Sequence, residues 1–83
     1  MVNRPGKRLE NENKFPVWED TPDGRKYFLT VKGRHGWTAR YVKEVDHDET
    51  TVRFYQEIYD GKGRLVEIHN KYPVDEGHKK AGG

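Results

Sequence analysis

Between Tyr27 and Tyr72 the chain carries four short runs of alternating apolar residues, separated by three turn signals. This alternation restricts the fold more than any other feature, because successive side chains of a strand point to opposite faces of a sheet. Tyr27, Leu29 and Val31 alternate in the first run; Trp37, Ala39, Tyr41 and Val45 in the second; Val52, Phe54 and Ile58 in the third. The expected strands are 25–32, 37–45, 50–59 and 64–70. Between them lie the glycine-bounded loop Lys32–Gly36, the polar turn Asp46–Glu49, and Asp60-Gly61-Lys62-Gly63, a strong hairpin signal. The fold class is therefore mainly β, a four-stranded antiparallel β-meander, or α+β if the polar segment around Lys7–Asn13 turns helical.

Residues 1–20 read as a flexible or partly ordered polar arm, 21–74 as a single β-rich domain and 75–83 as a flexible C-terminal tail. Phe15-Pro16-Val17-Trp18 is apolar enough to tuck against the sheet, and Thr21-Pro22-Asp23-Gly24 marks a turn. Tyr72-Pro73 closes the last strand, since proline brings no donor to a ladder.

A chain of 83 residues makes one domain at most. Leu, Ile, Val and Phe make up 16 of the 83 residues, just under the roughly 20% below which chains tend to disorder. The net charge is only +2, and ten aromatic residues supply large buried areas. A folded centre follows, with a core small enough that a homodimer or another partner is expected to complete it. No cysteine is present, which rules out a disulfide framework or thiolate metal site and fits a reducing, cytoplasmic setting. No apolar run approaches the roughly 18 residues of a membrane span, so no membrane partner is expected. No metal site and no cofactor is expected, because His35, His47, His69 and His78 sit in separate segments.

Charge is segregated along the chain. Arg25 to Lys43 holds six basic residues and no acid, and Glu44 to Asp60 holds six acids and one base, Arg53. Neighbouring strands of opposite charge can simply pair across a sheet. The alternative is a basic surface that attracts an anion such as RNA.

Register sharpens the choice. A loop over 32–36 sets Val31 opposite Trp37 and Tyr27 opposite Tyr41. A loop over 46–49 sets Tyr41 opposite Phe54 and Trp37 opposite Ile58. Tyr27, Leu29, Val31, Trp37, Ala39, Tyr41, Val52, Phe54 and Ile58 then share one face, the expected core. A bulge at Gly63 would bring Val66 and Ile68 to the same side. The second face collects Phe28, Arg40, Arg53, Tyr55, Tyr59 and His69. Aromatic rings interleaved with arginines suit single-stranded RNA, with rings stacking on bases and guanidinium groups gripping phosphates; the alternative is a non-enzymatic protein-interaction module or homodimer in which this face is buried. If that face catalyses, the chemistry expected is a metal-independent ribonuclease, with His69 and Glu57 as proton handlers and Arg53 stabilising the phosphorane.

The stretch 53–80 contains Tyr59-Asp60-Gly61-Lys62-Gly63-Arg64-Leu65-Val66, then Ile68-His69-Asn70, Tyr72-Pro73 and Gly77-His78-Lys79-Lys80. It resembles the C-terminal half of small prokaryotic proteins of the TumE-like toxin kind, over about a third of the chain. The resemblance implies an RNA-directed role with an antitoxin-like protein as partner, and it would carry over His69 and His78. This chain departs from the pattern in a shorter tail with fewer histidines.

Overall fold

The computed structural model describes residues 4–73 and 77–80. One antiparallel sheet holds six strands in chain order: β1 (Val17–Thr21), β2 (Gly24–Lys32), β3 (Thr38–Asp46), β4 (Thr51–Tyr59), β5 (Leu65–Tyr72) and β6 (Gly77–Lys80). One helix, α1 (Arg4–Lys14), precedes them. The class is mainly β, with the four expected strands at the centre and a further strand at each edge.

β1 exists because the turn at Pro22-Asp23 folds the preceding residues back onto β2, from Thr21↔Gly24 to Val17↔Phe28. Gly24 is needed there for closeness: a Cβ on it would run into the Val45 carbonyl. β6 arises where a tail was expected, pairing Asn70↔Gly77 through Glu67↔Lys80. The rest of the expected tail and residues 1–3 of the arm lie outside the described residues. Among the described residues, no helix is long and apolar enough to cross a membrane.

The strand pairings are slipped by two residues from expectation. Leu29 faces Tyr41 and Val31 faces Ala39; Tyr41 faces Gln56 and Lys43 faces Phe54. The first loop is a tight turn over 33–37, closed by Gly33 N–H to Trp37 O at 2.7 Å and Trp37 N–H to Arg34 O at 3.0 Å. The second closes only at Thr50, and Val52 is then an extra residue, because Val45 pairs with Thr51 and Glu44 with Arg53. An even slip leaves every face assignment intact. The bulge instead turns Val52 out of the expected core, 50% exposed.

The third hairpin also corrects the expectation. Tyr59 pairs with Leu65, the register expected from an extra residue at Gly63, which is left-handed at φ 78°; Ile58 then pairs with Glu67, so Val66 is a second extra residue that the expectation lacked. Ile68 consequently pairs with Glu57 on the second face, and His69 pairs with Gln56 on the first.

α1 covers only one end of the first face. Eleven helical residues span about 16 Å, against about 30 Å for a nine-residue strand. Under the helix lie the buried Phe15, Tyr27 and Val45, with Leu29, Tyr41 and Phe54 packed against them. The Phe15 ring sits 5.9 Å from Tyr27 and meets Phe54 edge-on at 6.4 Å. Beyond the helix Val31 and Trp37, expected in the core, are 45% and 40% exposed. Pro16 ends the helix, since it has no N–H to continue the ladder.

Candidate interaction face

The face away from α1 is built from transverse rows, one residue per strand. The central row runs Val17, Phe28, Val42, Tyr55 across β1 to β4. Val42 is fully buried, although no layer of the described residues covers it. Its flanks close over it: the Arg40 guanidinium lies 4.3 Å above the Phe28 ring, and that of Arg53 lies 4.1 Å above Tyr55. These two stacks extend apolar cover with the arginine stems while leaving the charged heads wet.

Two flanking rows carry charge. Glu19, Lys26, Glu44 and Arg53 stand side by side across β1 to β4, alternating in sign. The Arg53 Nη1 lies 3.9 Å from Glu44 Oε2. On the other side Arg40 faces Glu57, with 3.8 Å between Nε and Oε1. The Tyr59 hydroxyl donates to Glu57 Oε1 at 3.0 Å. Burial, and then the nearby Glu57 and Glu44 carboxylates, push the Tyr55 phenol upward. Burial and the bond to Glu57 do the same for Tyr59. The charge blocks of the sequence thus meet as cross-strand pairs.

The fold therefore brings Phe28, Arg40, Arg53, Tyr55 and Tyr59 onto one face, as their alternation predicts. The expected catalytic set is divided. Glu57 shares that face with Arg53 but stands four residues along β4, about 13 Å away. His69 is in register with Gln56, so it belongs to the opposite face. No group of three His, Cys, Asp or Glu side chains suited to a metal occurs among the described residues.

A second polar cluster, unforeseen in the sequence, lies under α1. Glu49 is 3% exposed. Its carboxylate accepts the Tyr27 hydroxyl at 2.5 Å, the Asn11 amide at 3.3 Å, and Nε and Nη2 of Arg8 at 3.3 Å each. Asn11 Oδ1 accepts from Lys43 Nζ at 2.8 Å. Arg25, 8% exposed, donates to Asp20 at 2.8 Å and Glu12 at 2.9 Å. Burial and the Glu49 charge push Tyr27 up to about 12. Burial opposes the Arg25 charge, but Asp20 and Glu12 outweigh it and hold the pKa above the ordinary arginine value. Burial, with Lys14 nearby, lowers Lys43.

The helix residues in these contacts are Arg8, Asn11 and Glu12, one face at helical spacing, and Phe15 follows just past the helix end. α1 is fastened by a polar stripe that ends in one aromatic. An apolar-periodicity search passes over it; the signal it did leave is polar residues at i, i+3, i+4 before Phe-Pro. The groups are engaged with one another, which makes the cluster an anchor. Comparisons with protein-family models, with curated proteins and with solved structures find no match to this chain.

Proposed function

We propose that the chain is a non-catalytic protein-interaction module that docks through the face of Val17, Phe28, Tyr55 and the charged rows. The observation that carries this reading is charge pairing. Both arginines of the face stand within 4 Å of a carboxylate, Arg40 at 3.8 Å and Arg53 at 3.9 Å. A phosphate backbone would have to displace those carboxylates, whereas a protein surface can match both signs. Layered architecture argues the same way, since a sheet ordinarily buries each apolar face against another layer.

An RNA-associated, toxin-like role is the second reading, favoured by the guanidinium planes stacked on Phe28 and Tyr55. A photoreactive residue at Thr30, on the open face, separates the two in cells producing the full chain. Docking predicts ribonuclease-resistant protein adducts at Thr30 and none at Lys62 in the exposed β4–β5 turn. Adducts that disappear with ribonuclease would replace docking with RNA binding. Equal adducts at both positions would reject the face.

A further inference from the structure

We infer, on the footing of that docking role, that the partner is a second copy of this chain, packed face to face about a two-fold axis parallel to the strands between β2 and β3. The row Glu19, Lys26, Glu44, Arg53 supplies the reason. A two-fold axis makes an interface self-complementary, each patch meeting its own copy reversed. An alternating row with an even number of members, reversed about its middle, lays every charge on its opposite. Glu19 comes over the partner subunit's Arg53, and Lys26 comes over the partner subunit's Glu44. An axis through β2 itself would set Lys26 on its own copy, and an axis between β1 and β2 or between β3 and β4 would pair only half of the row.

The central row obeys the same operation. Val17 comes over the partner subunit's Tyr55, and Phe28 comes over the position of the partner subunit's Val42, which is already buried in the single chain under the arginine stacks. Aligned sheets cross at about 30°, which displaces the row ends by about 4 Å, within the reach of Glu and Arg side chains. Four strands of up to nine residues offer a face of about 30 Å by 20 Å. Two copies would bury on the order of 1,200 Å², at the lower end of stable interfaces. Val17, 59% exposed in the single chain, would be covered.

The test is the mass in solution of the full chain, by sedimentation equilibrium, with variants at the row ends. Glu19 and Arg53 are three strands apart within a chain and adjacent only across the axis. Glu19→Lys and Arg53→Glu should each weaken the dimer about tenfold or more, since each sets like charges together twice. Combining both in one chain should restore association to near the starting level. Within the chain the same double change places like charges beside Lys26 and Glu44, so an effect confined to the chain would make it the worst of the three.

Mixing supplies an arm that misfolding cannot imitate. Lys26→Glu and Glu44→Lys chains should each fail to self-associate, yet form a 1:1 heterodimer when mixed. Four variants that leave the dimer unchanged would overturn this arrangement, as would a mixture that stays monomeric. A chain monomeric at all concentrations, with Thr30 adducts to a different protein, would overturn the second copy and leave docking intact. A monomer whose Thr30 adducts are ribonuclease-sensitive would overturn both.

Discussion

Two hairpin turns of this sheet are built to one plan, and the difference that matters lies at their left-handed residue. In each, an aspartate opens the turn and its backbone N–H donates to the carbonyl four residues on: Asp46 to Thr50 at 3.0 Å, Asp60 to Arg64 at 2.9 Å. In each, the carbonyl of that aspartate accepts from the residue three on, Glu49 or Gly63, at 3.0 Å. The side-chain oxygen accepts two more N–H groups, from Asp48 and Thr50 in one turn and from Lys62 and Arg64 in the other. The fourth residue is left-handed in both, φ 63° at Glu49 and 78° at Gly63. Glycine takes that conformation freely, whereas glutamate pays roughly 1 kcal/mol. The difference shows that the first turn is held from outside. Its left-handed residue aims a carboxylate under α1, where Tyr27, Asn11 and Arg8 meet it.

The sharpest way to break the comparison is Glu49→Ala. It strands the buried Tyr27 hydroxyl and Asn11 amide and keeps the backbone strain, so a loss of about 3 kcal/mol is expected in urea unfolding. Glu49→Gly removes the same carboxylate but relieves the strain, and should recover about 1 kcal/mol of that loss. Equal losses would mean the left-handed conformation costs nothing here.

Tyr27→Phe probes the same anchor from the sheet side and should cost about 2 kcal/mol, the range for a hydrogen bond to a charged group. The wild-type phenol adds a pH signature. Its pKa is raised from 10.0 to about 12, so the neutral form is favoured by folding. That stabilisation is complete below pH 10 and is lost as pH rises through about 12. Ultraviolet titration should show one tyrosine ionising last, and Glu49→Ala should bring its transition earlier.

Gly63→Ala should cost about 1 kcal/mol, conformational strain alone, because nothing lies within 4 Å of the added Cβ. A loss as large as that of Glu49→Ala would undo the contrast between the turns. The smallest effect belongs to Asp60. Backbone donation from Arg64 holds its carboxyl below the ordinary 3.8, despite some opposing desolvation. Its contribution is present above that ordinary value and fades as pH falls through the lower folded one. Asp60→Asn should flatten the acid limb of the stability curve slightly, read by thermal melts between about pH 2 and 5.

The same contrast marks where the sequence is legible. Asp60-Gly61-Lys62-Gly63 announces its turn because glycine is needed for the conformation it adopts. Glu49 hides an identical conformation, because what permits it is a partner from α1, 41 and 38 residues away. Face membership of Phe28, Arg40, Arg53 and Tyr55 followed from alternation, which survives an even slip. Ile68 and His69 lie on the faces opposite to those expected, because the extra residue at Val66 reverses the strand as far as Asn70, where a second shift intervenes before Tyr72. β1 is not legible in its own residues, although Pro22-Asp23-Gly24 marks a turn that brings chain on both sides together. α1 was half seen, since its attachment is polar.

Strand order that equals chain order also governs how this molecule assembles. Every ladder joins segments that are neighbours along the chain, so each hairpin closes a short loop and can zip without waiting for a distant segment. The anchoring of α1 to Glu49 is the exception, a bridge of 41 residues. It finds its target only after β2 and β3 have presented Tyr27 and the Glu49 turn together. α1, which precedes the strands in the chain, thus has its full docking surface only once they are paired.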